Sequence, residues 1–493
     1  MAHIDVIPEV SKFIEGPPKM IIGGKPTDAA SGETFEVRDP STGKVLTEVP
    51  RGGMADIDAA VSSARAAVED KRWSGLRPGK RTEVLFKLGE LIKRNINELA
   101  QLESLDSGKP IGIAQGEMWM AGEVFRYYSG WPTKVFGETN PTAEDTFVYT
   151  LREPVGVCGG IIPWNFPLVM ATWKVAPALA FGNACVLKPA EQTPLTAIRL
   201  GELALEAGVP EGVVNVVTGF GDEAGQALAQ HEDVDKIAFT GSTEVGRKIL
   251  HASESNLKRV TLELGGKSPN IVFPDANMKR AVKGSMFGIF LNSGQVCTAG
   301  SRILVDSSIH DEFVSALAEA TQQMKLGPGL DDETGIGPVV SEEQLERVTG
   351  YIDLGRSEGA EVITGGERAI DLGDGYFVQP TIFTGVRNEM RIAQEEIFGP
   401  VAAVIEVSGV DEAIEVANNT IYGLAASVWT SDLSKAHRVA QGIRAGTVWV
   451  NGHGMVDPSV SFGGYKQSGF GRELGVHSME AYTQVKSVWL NLK

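Results

Sequence analysis

The stretch KIAFTGSTEVGRKIL, residues 236–250, passes from a short β-rich run through Gly241 and Ser242 into a helical pattern that has Gly246 in its first turn. A small residue at the end of a strand lets the amino terminus of the next helix approach a phosphate, whose charge is met by free N–H groups and the helix dipole. The stretch departs from the usual dinucleotide-binding fingerprint. It therefore predicts either a nucleotide site or an ordinary tight connection.

The same alternation of strand and helix surrounds this stretch on both sides. It runs from residue 155 to residue 265, where RVTLELG closes the series. Strands joined by helices need right-handed crossovers and form a parallel, doubly wound sheet, whose ligands bind beyond the carboxyl ends of the strands. A second series begins after residue 265 and ends in GTVWVNG, residues 446–452. The sequence therefore predicts two α/β domains with a ligand in the cleft between them.

Composition excludes several classes of partner. A chain of 493 residues is too long for one hydrophobic core, and 42% apolar with 22% charged residues is typical of a soluble globular protein. The net charge of −18 disfavours nucleic acid and anionic membranes as partners. The uncharged segment 154–173 is interrupted by glycines and prolines, which favours a buried strand and loop over a membrane helix. The acidic, proline-bearing N-terminus does not resemble a signal peptide, so we expect a cytoplasmic protein.

Helical periodicity and strand alternation also mark the first third of the chain. Apolar residues recur every three or four positions between residues 81 and 102, which predicts one amphipathic helix. The run TFVYTLRE, residues 146–153, alternates as an exposed strand does, and such a strand has a free edge for a partner.

The three cysteines are Cys158, Cys185 and Cys297, an odd number without a C-x-x-C pair. This pattern predicts neither a disulfide framework nor a zinc site, and it fits a reducing compartment. Cys158 and Cys185 lie in apolar strand runs and are interpreted as inert. Cys297 lies in LNSGQVCTAGS, residues 291–301, among glycines and small polar residues. A lone cysteine is commonly a small buried hydrophobe, but these neighbours give the access that a thiolate needs to attack an electrophile.

Three further segments carry polar residues next to predicted strands. Lys188 and Glu191 follow the strand run ACVLK, where a carboxylate can bind both hydroxyls of a ribose or simply form a solvated ion pair. Glu263 ends a strand before two glycines, and it is either a general base facing the cleft or a surface carboxylate. Asn165 lies between Pro163 and Pro167, where its amide can meet an oxyanion or satisfy a turn.

Seven motifs together resemble the NAD(P)-dependent aldehyde dehydrogenase superfamily: PWNFP, KPAEQTP, FTGSTEVG, LELGGKSPN, GQVCTAGS, EEIFGP and the long run from NGHGMVDPS to GRELG. The resemblance extends from about residue 20 to the C-terminus and is nearest to the non-acylating, broad-specificity branch. It implies two doubly wound Rossmann-like α/β domains with a small β oligomerisation arm. The implied boundaries are an NAD-binding domain of residues 1–135 and 155–265, a catalytic domain of residues 266–463, and an arm of residues 136–154 and 464–493, through which the family forms dimers or tetramers.

The resemblance also assigns roles to individual residues. It makes Cys297 the nucleophile, Glu263 the base, and Asn165 with the backbone N–H of Cys297 the oxyanion hole, while Lys174 and Glu473 match a proton path. The residues that it implies for the cofactor are Ile162, Trp164, Lys188, Glu191, Gly241, Ser242, Gly246, Glu396 and Phe398. Because a carboxylate at Glu191 would repel the extra phosphate of NADP, NAD is the expected cofactor, with some use of NADP still possible.

The resemblance further implies a substrate pocket whose wall is aliphatic and aromatic. Its predicted residues are Phe166, Met170, Trp173, Leu291, Val296, Met455, Val456 and Phe462. We expect an apolar medium-chain or aromatic aldehyde, oxidised to the acid through a cysteine thiohemiacetal and a thioester. His453 is interpreted as a satisfied polar residue rather than a catalytic one. Two alternatives stay open at this point: an enzyme that passes the acyl group to coenzyme A, and a non-catalytic NAD-binding protein of the same fold.

Overall fold

The structure is a computed structural model that describes residues 4–493. The first three residues of the predicted segment 1–135 lie outside the described residues. Two large sheets, each covered by helices, make up most of the molecule. The domain boundaries drawn from the sequence stay a prediction.

The first sheet has eight strands, of which five consecutive ones run parallel. In spatial order they are Gly469–Phe470, Arg259–Glu263, Lys236–Thr240, Val157–Ile161, Ala184–Lys188, Val214–Val216, Met20–Ile22 and Lys25–Thr27. The chain enters the parallel part at Val157–Ile161, continues on one side of it, and later pairs Lys236–Thr240 on the other. The sheet is therefore doubly wound, and its switch point lies beside Val157–Ile161.

The second sheet has seven strands, six of them parallel. In spatial order they are Glu361–Thr364, Thr381–Thr384, Val401–Val407, Arg302–Asp306, Pro269–Val272, Ala425–Trp429 and Thr447–Val450. The chain again enters near the middle, at Pro269–Val272, with neighbours from later in the sequence on both sides. The α/β fold predicted from the alternation of strands and helices is confirmed.

Helices cover these sheets and supply most of the remaining core. Their bounds are Pro8–Glu15, Met54–Glu69, Pro78–Arg94, Ile96–Ser107, Ile111–Ser129, Pro167–Ala180, Leu195–Ala207, Gln226–Gln230, Thr243–Ala252, Met278–Phe290, His310–Gln322, Glu342–Ser357, Arg391–Gln394, Gly409–Asn418, Leu433–Gly442 and Ser478–Tyr482. The prediction of a single amphipathic helix between residues 81 and 102 is wrong, because the helix is interrupted at Asn95. The Asn95 side chain donates a hydrogen bond of 2.8 Å to the Leu91 carbonyl and so competes with the helix backbone.

The predicted exposed strand belongs to a separate three-stranded sheet. Thr146–Pro154 pairs with Thr139–Asn140 on one edge and with Thr483–Asn491 on the other, and all pairs are antiparallel. The strand Gly469–Phe470, also within the predicted arm segment 464–493, pairs instead with Arg259–Glu263 of the first sheet. The strands Thr34–Arg38 and Val45–Pro50 form a separate two-stranded antiparallel sheet.

The uncharged segment 154–173 is folded into the core of the first sheet. It forms the strand Val157–Ile161, a loop that contains Pro163, and the first half of the buried helix Pro167–Ala180. Within residues 4–493, no helix is long and apolar enough to cross a membrane. The strand therefore delivers the loop with Asn165 to the carboxyl edge of the sheet, where ligands bind in this class of fold.

Candidate active site

One cavity of about 610 Å³ lies at the carboxyl ends of the parallel strands of the first sheet. Loops that follow Val157–Ile161 and Lys236–Thr240 reach its wall, as does Glu263, the last residue of its own strand. The second half of the chain contributes the other wall. Residues predicted for chemistry and for the cofactor meet here, namely Trp164, Asn165, Gly241, Ser242, Glu263, Cys297, Glu396 and Phe398.

The loop that carries Cys297 is held rigidly by its polar neighbours. After the helix Met278–Phe290, Asn292 and Ser293 take left-handed backbone conformations with φ of 48° and 57°. The Ser293 hydroxyl donates to the Gly337 carbonyl at 2.7 Å, and the Gln295 side-chain oxygen accepts from the Val340 N–H at 2.9 Å. The small polar residues in LNSGQVCTAGS therefore fix the loop, whereas the sequence suggested that they leave room for an electrophile.

The two glycines after Glu263 let other groups come close to the end of its strand. A Cβ on Gly266 would lie 2.3 Å from the Cys297 carbonyl oxygen, and a Cβ on Gly265 would lie 2.3 Å from a carboxylate oxygen of Glu396. The Gly266 N–H also donates to Glu396 at 2.9 Å. A side chain at either glycine would displace Cys297 or Glu396.

The predicted nucleophile and base are both poorly solvated. Desolvation raises the pKa of the Cys297 thiol to about 12, with smaller contributions from the charges of Glu396 and Glu263. Burial also raises the pKa of Glu263 well above its usual range, and the nearby Glu473 raises it further. The Glu263 side chain is 5% exposed, and its Oε2 has no hydrogen-bond partner. The Glu263 carboxyl is therefore a buried group that keeps its proton to higher pH than an exposed glutamate does.

Asn165 is held by one hydrogen bond from its side chain and one to its backbone. Its Nδ2 donates to the Gln295 carbonyl at 2.8 Å, and its own backbone carbonyl accepts from Asn292 Nδ2 at 2.9 Å. An amide nitrogen has two N–H groups, so one remains for a ligand in the cavity. The bond to Gln295 places this amide next to the Cys297 loop.

Lys174 and Glu473 form a buried ion pair behind Glu263. Lys174 Nζ also donates to the Thr240 hydroxyl at 2.7 Å, and Thr240 lines the cavity. The two side chains are 1% and 3% exposed, and Glu473 Oε2 has no hydrogen-bond partner. Charged and polar groups therefore lead inward from Glu263, although Lys174 and Glu473 do not line the cavity themselves.

The cofactor residues predicted from KPAEQTP lie beyond the lining of this cavity. Lys188 ends its strand with its Nζ 3.1 Å from Glu191 Oε2, and its carbonyl accepts the Ile162 N–H at 3.1 Å. Burial lowers the pKa of Lys188. Glu191 keeps 30% of its side chain exposed, so a carboxylate at this edge of the sheet is accessible to a ribose.

The start of the helix Thr243–Ala252 faces the cavity. Ser242 caps this helix by accepting the Val245 N–H at 3.2 Å, which leaves other N–H groups of the first turn unpaired. Gly246 packs on Leu264, whose side chain would lie 2.5 Å from an added Cβ. Gly246 therefore allows close packing of helix on strand and does not line the cavity itself.

Glu396 and Phe398 approach from the second half of the chain. Desolvation raises the pKa of Glu396 to about 7. The Phe398 ring packs edge-on against the Trp164 ring, with centroids 5.2 Å apart. Two lining residues that the sequence did not indicate hold this loop: Gln344 donates to the Phe398 carbonyl at 2.7 Å, and Arg347 donates to the Glu396 carbonyl at 2.6 Å.

The predicted apolar wall is present except for one residue. The lining contains Phe166, Met170, Trp173, Leu291, Val296, Val456 and Phe462. Met455 lies outside it with its side chain 60% exposed; its backbone carbonyl accepts the indole N–H of Trp449. The Glu117 carboxylate, which is paired with buried Lys109, also lines the cavity.

Comparison with known proteins decides the family. The profile of the aldehyde dehydrogenase family matches residues 27–488. The chain belongs to the aldehyde dehydrogenase family. It is 50% identical over 491 residues to the putative aldehyde dehydrogenase DhaS of Bacillus subtilis (strain 168), covering 99% of each chain. The predicted family and enzyme class are confirmed.

Solved structures of aldehyde dehydrogenases share the whole fold. An NAD+ complex of the aldehyde dehydrogenase from Bacillus cereus is similar with a TM-score of 0.98 and 49% identity, over 100% of both chains. An indole-3-acetaldehyde dehydrogenase of P. syringae, in complex with NAD+ and IAA, has a TM-score of 0.95 and 47% identity over 96% of this chain and 97% of that chain.

The sequence of this aldehyde dehydrogenase contained a usable signal for only some of its lining residues. Gln344 and Arg347 lie one helical turn apart on Glu342–Ser357, a segment without a recognisable motif. Glu117 and Met120 lie on the helix Ile111–Ser129, whose apolar and polar positions give no hint of a cavity. Cys158 and Cys185, interpreted as inert, are buried in strands of the first sheet, whereas Cys297 is partly exposed and lines the cavity.

Proposed function

We propose that this aldehyde dehydrogenase oxidises an apolar medium-chain or aromatic aldehyde to the carboxylic acid, with Cys297 as nucleophile and water as the final acyl acceptor. One observation carries the proposal. Cys297, Asn165 and Glu263 line a single cavity, and the carboxylate of Glu263 is buried with its Oε2 atom free of any hydrogen bond. A thiol, an amide donor and a base in one cavity are the groups that addition to a carbonyl and hydrolysis of a thioester require.

The first step is addition of Cys297 to the aldehyde carbon. Because the thiol pKa is raised to about 12, its proton must be taken up as the S–C bond forms. Water in the cavity takes up this proton, and Glu263, whose pKa is raised by burial, acts as the base in the later hydrolysis. The second N–H of the Asn165 amide and the backbone N–H of Cys297 would hold the oxyanion of the thiohemiacetal.

NAD is the cofactor, and the residues present fit it. The free N–H groups at Ser242 would hold the pyrophosphate, the Lys188 and Glu191 pair the adenine ribose, and Glu396 the nicotinamide ribose. Glu396 fits this role because its carboxylate is fixed by the Gly266 N–H against a glycine backbone. When bound, NAD supplies the acceptor for the hydride that leaves the aldehyde carbon.

Hydrolysis of the resulting thioester completes the reaction. Glu263 removes a proton from water, the water oxygen forms the new C–O bond, and the C–S bond breaks to return the thiol of Cys297. The ion pair of Lys174 and Glu473 lies behind Glu263 and supports a path for its proton toward the protein interior. A chain that passed its acyl group to coenzyme A would not need this base.

The substrate class rests on the wall of the cavity. Trp173 and Phe462 pack with ring centroids 5.3 Å apart, and aliphatic residues surround them. Such a surface favours apolar and aromatic tails. The Glu117 carboxylate in the same lining disfavours an aldehyde that ends in a second carboxylate. The related enzyme named for indole-3-acetaldehyde supports an aromatic substrate.

The test is a panel of short aliphatic, long aliphatic, aromatic and ω-carboxy aldehydes, ranked by kcat/KM for NADH formation. We expect aromatic and medium-chain aldehydes to rank highest and Cys297→Ala to form no NADH. The product should be the acid whether or not coenzyme A is present. An acyl-coenzyme A product would contradict hydrolysis, and unchanged activity of Cys297→Ala would contradict the role of the cysteine.

Cofactor preference follows from Glu191. Its carboxylate lies 3.1 Å from Lys188 at the predicted ribose site, and its charge would repel a 2′-phosphate. We expect a higher kcat/KM with NAD than with NADP. A reversed preference in steady-state kinetics with both cofactors would overturn this assignment.

We propose assembly into a dimer or tetramer through the three-stranded sheet, and a cytoplasmic location. Phe147 and Leu490 are direct cross-strand partners in this sheet and are 46% and 43% exposed. Adjacent exposed apolar side chains on a sheet are typical of an interface. Light scattering of the purified protein tests the assembly, and a monomer would contradict it.

A further inference from the structure

His453 connects the second sheet to the loop that carries Cys297. Its Nε2 lies 3.1 Å from the backbone carbonyl oxygen of Thr298, the residue after Cys297. Its Nδ1 lies 2.5 Å from the hydroxyl of Ser427, in the middle of the strand Ala425–Trp429. The imidazole thus spans the distance between a rigid strand and the reactive loop.

The partners of His453 determine its tautomer. A backbone carbonyl can only accept a hydrogen bond, so Nε2 must carry the proton that points to Thr298. Nδ1 then accepts the proton of the Ser427 hydroxyl. Burial lowers the pKa of His453 to about 4, which keeps the ring neutral at physiological pH. The ring therefore acts as a fixed connector rather than as an acid or base.

Close packing holds the ring in this orientation. A Cβ on Gly288 would lie 3.0 Å from His453 Cγ, and a Cβ on Gly300 would lie 3.2 Å from its Cε1. The Trp449 ring packs against it with centroids 4.9 Å apart. Gly288 belongs to the helix before the Cys297 loop and Gly300 follows the loop, and the Gly300 N–H donates to the Gly288 carbonyl at 2.9 Å. The ring is therefore packed against both ends of the segment.

We propose that His453 is a positioning residue for the nucleophile: its bond to the Thr298 carbonyl holds the backbone N–H and the sulfur of Cys297 in the reactive orientation. The inference rests on the proposed role of Cys297 and adds a residue that the reaction itself does not use. The backbone N–H of Cys297 is an oxyanion donor only if the peptide on either side of it keeps its orientation. Small displacements of reacting groups cost large factors in rate.

Three variants separate the hydrogen bond from the volume of the ring. His453→Gln keeps an N–H donor that can reach the Thr298 carbonyl, whereas His453→Leu fills space without a donor. Ser427→Ala removes the hydroxyl that fixes the tautomer and leaves the ring in place. The readouts are the rate of Cys297 alkylation by iodoacetamide without NAD or aldehyde, followed by intact mass, and kcat and KM for NADH formation. Cys297→Ala identifies the alkylated residue.

We expect His453→Leu to lower both the alkylation rate and kcat by about tenfold or more, with a change in KM for a short aldehyde below about threefold. His453→Gln should recover most of both rates, and Ser427→Ala should lower them by a few-fold. Equal impairment by Leu and Gln, or wild-type rates in His453→Leu, would overturn the proposal. If His453→Leu does not fold, unchanged rates in Ser427→Ala overturn it. Failure of the proposed function would be distinguished by NADH formation in Cys297→Ala.

Discussion

The Asn165 side chain donates a hydrogen bond of 2.8 Å to the backbone carbonyl of Gln295, two residues before Cys297. This bond ties the loop after the strand Val157–Ile161 to the loop after the helix Met278–Phe290. The proposed oxyanion donor and the proposed nucleophile thus lie on loops that belong to different sheets, and two hydrogen bonds, this one and that from Asn292 Nδ2 to the Asn165 carbonyl, join the loops. Preorganised donors of this kind contribute most to stabilising a charge that develops during reaction.

Replacing Asn165 should remove the oxyanion donor and the link between the loops. We expect Asn165→Ala to lower kcat by about 10²–10³-fold with a smaller effect on KM. The matched control is Asn292→Gly, which removes the amide that donates to the Asn165 carbonyl and keeps a residue suited to φ of 48°. Steady-state kinetics of both variants should show a much smaller loss for Asn292→Gly. Equal losses would mean that Asn165 acts only through the position of the loop.

Replacing Glu263 should separate formation of the thioester from its hydrolysis. Glu263→Gln keeps the shape of the side chain and loses the base, so we expect kcat to fall by about 10²–10⁴-fold. Because hydrolysis depends on this base, acyl-enzyme should accumulate on Cys297, and intact mass spectrometry after mixing with NAD and aldehyde should detect it. Free enzyme at steady state, with kcat unchanged, would contradict the assignment.

The pH dependence follows from two raised pKa values. Desolvation raises the pKa of the Cys297 thiol to about 12 and that of Glu263 well above its usual range. A group with a raised pKa loses its proton only at higher pH, and both groups act in their deprotonated forms. We therefore expect kcat/KM for NADH formation to rise between pH 6 and pH 9. Initial rates in a constant-ionic-strength buffer series test this, and a rate that falls across the range contradicts it.

Much of the site could be predicted because its residues lie at strand ends. Glu263 precedes two glycines, and the structure explains that pattern by the close approach of Cys297 and Glu396 to Gly266 and Gly265. Parallel strands place their carboxyl ends on one edge, so motifs far apart in sequence were expected to meet. The alternation of strands and helices was also sufficient to predict the α/β fold, because strands joined by helices form parallel sheets.

Other features depend on contacts that no local pattern contains. Asn95 breaks a continuous amphipathic stripe because its side chain bonds the Leu91 carbonyl, and asparagine also occurs in intact helices. Gly294 seemed to give access to Cys297, yet its φ of 74° and its packing against the Gly399 carbonyl show that it shapes the loop. Gln344 is held in the lining by its hydrogen bond to the Phe398 carbonyl, and the two residues lie more than 50 positions apart in the sequence. Such pairings arise only in the tertiary structure.

Two glycines on the helix Ile111–Ser129 hold the mouth of the cavity open. Gly112 and Gly116 both line the cavity, and a Cβ added at either would meet no atom within 4 Å. Glycine within a helix costs about 1 kcal/mol relative to alanine. Gly116 therefore lowers the stability of the helix although no neighbouring atom excludes a side chain there. This indicates that the substrate uses the space that a side chain would fill.

Substitutions at Gly116 should change the stability of the protein and its range of substrates separately. We expect Gly116→Ala to raise the free energy of unfolding by about 0.5–1 kcal/mol, measured by denaturant titration. Gly116→Leu should lower kcat/KM for a bulky aromatic aldehyde by about tenfold and leave acetaldehyde within about twofold, because only the larger tail reaches the mouth. Gly350 is the matched control: it lies in the helix Glu342–Ser357, a Cβ there also meets nothing, and it does not line the cavity. Gly350→Ala and Gly350→Leu should leave the ratio of the two substrates unchanged. If Gly116→Leu slows both aldehydes equally, the mouth does not select for size.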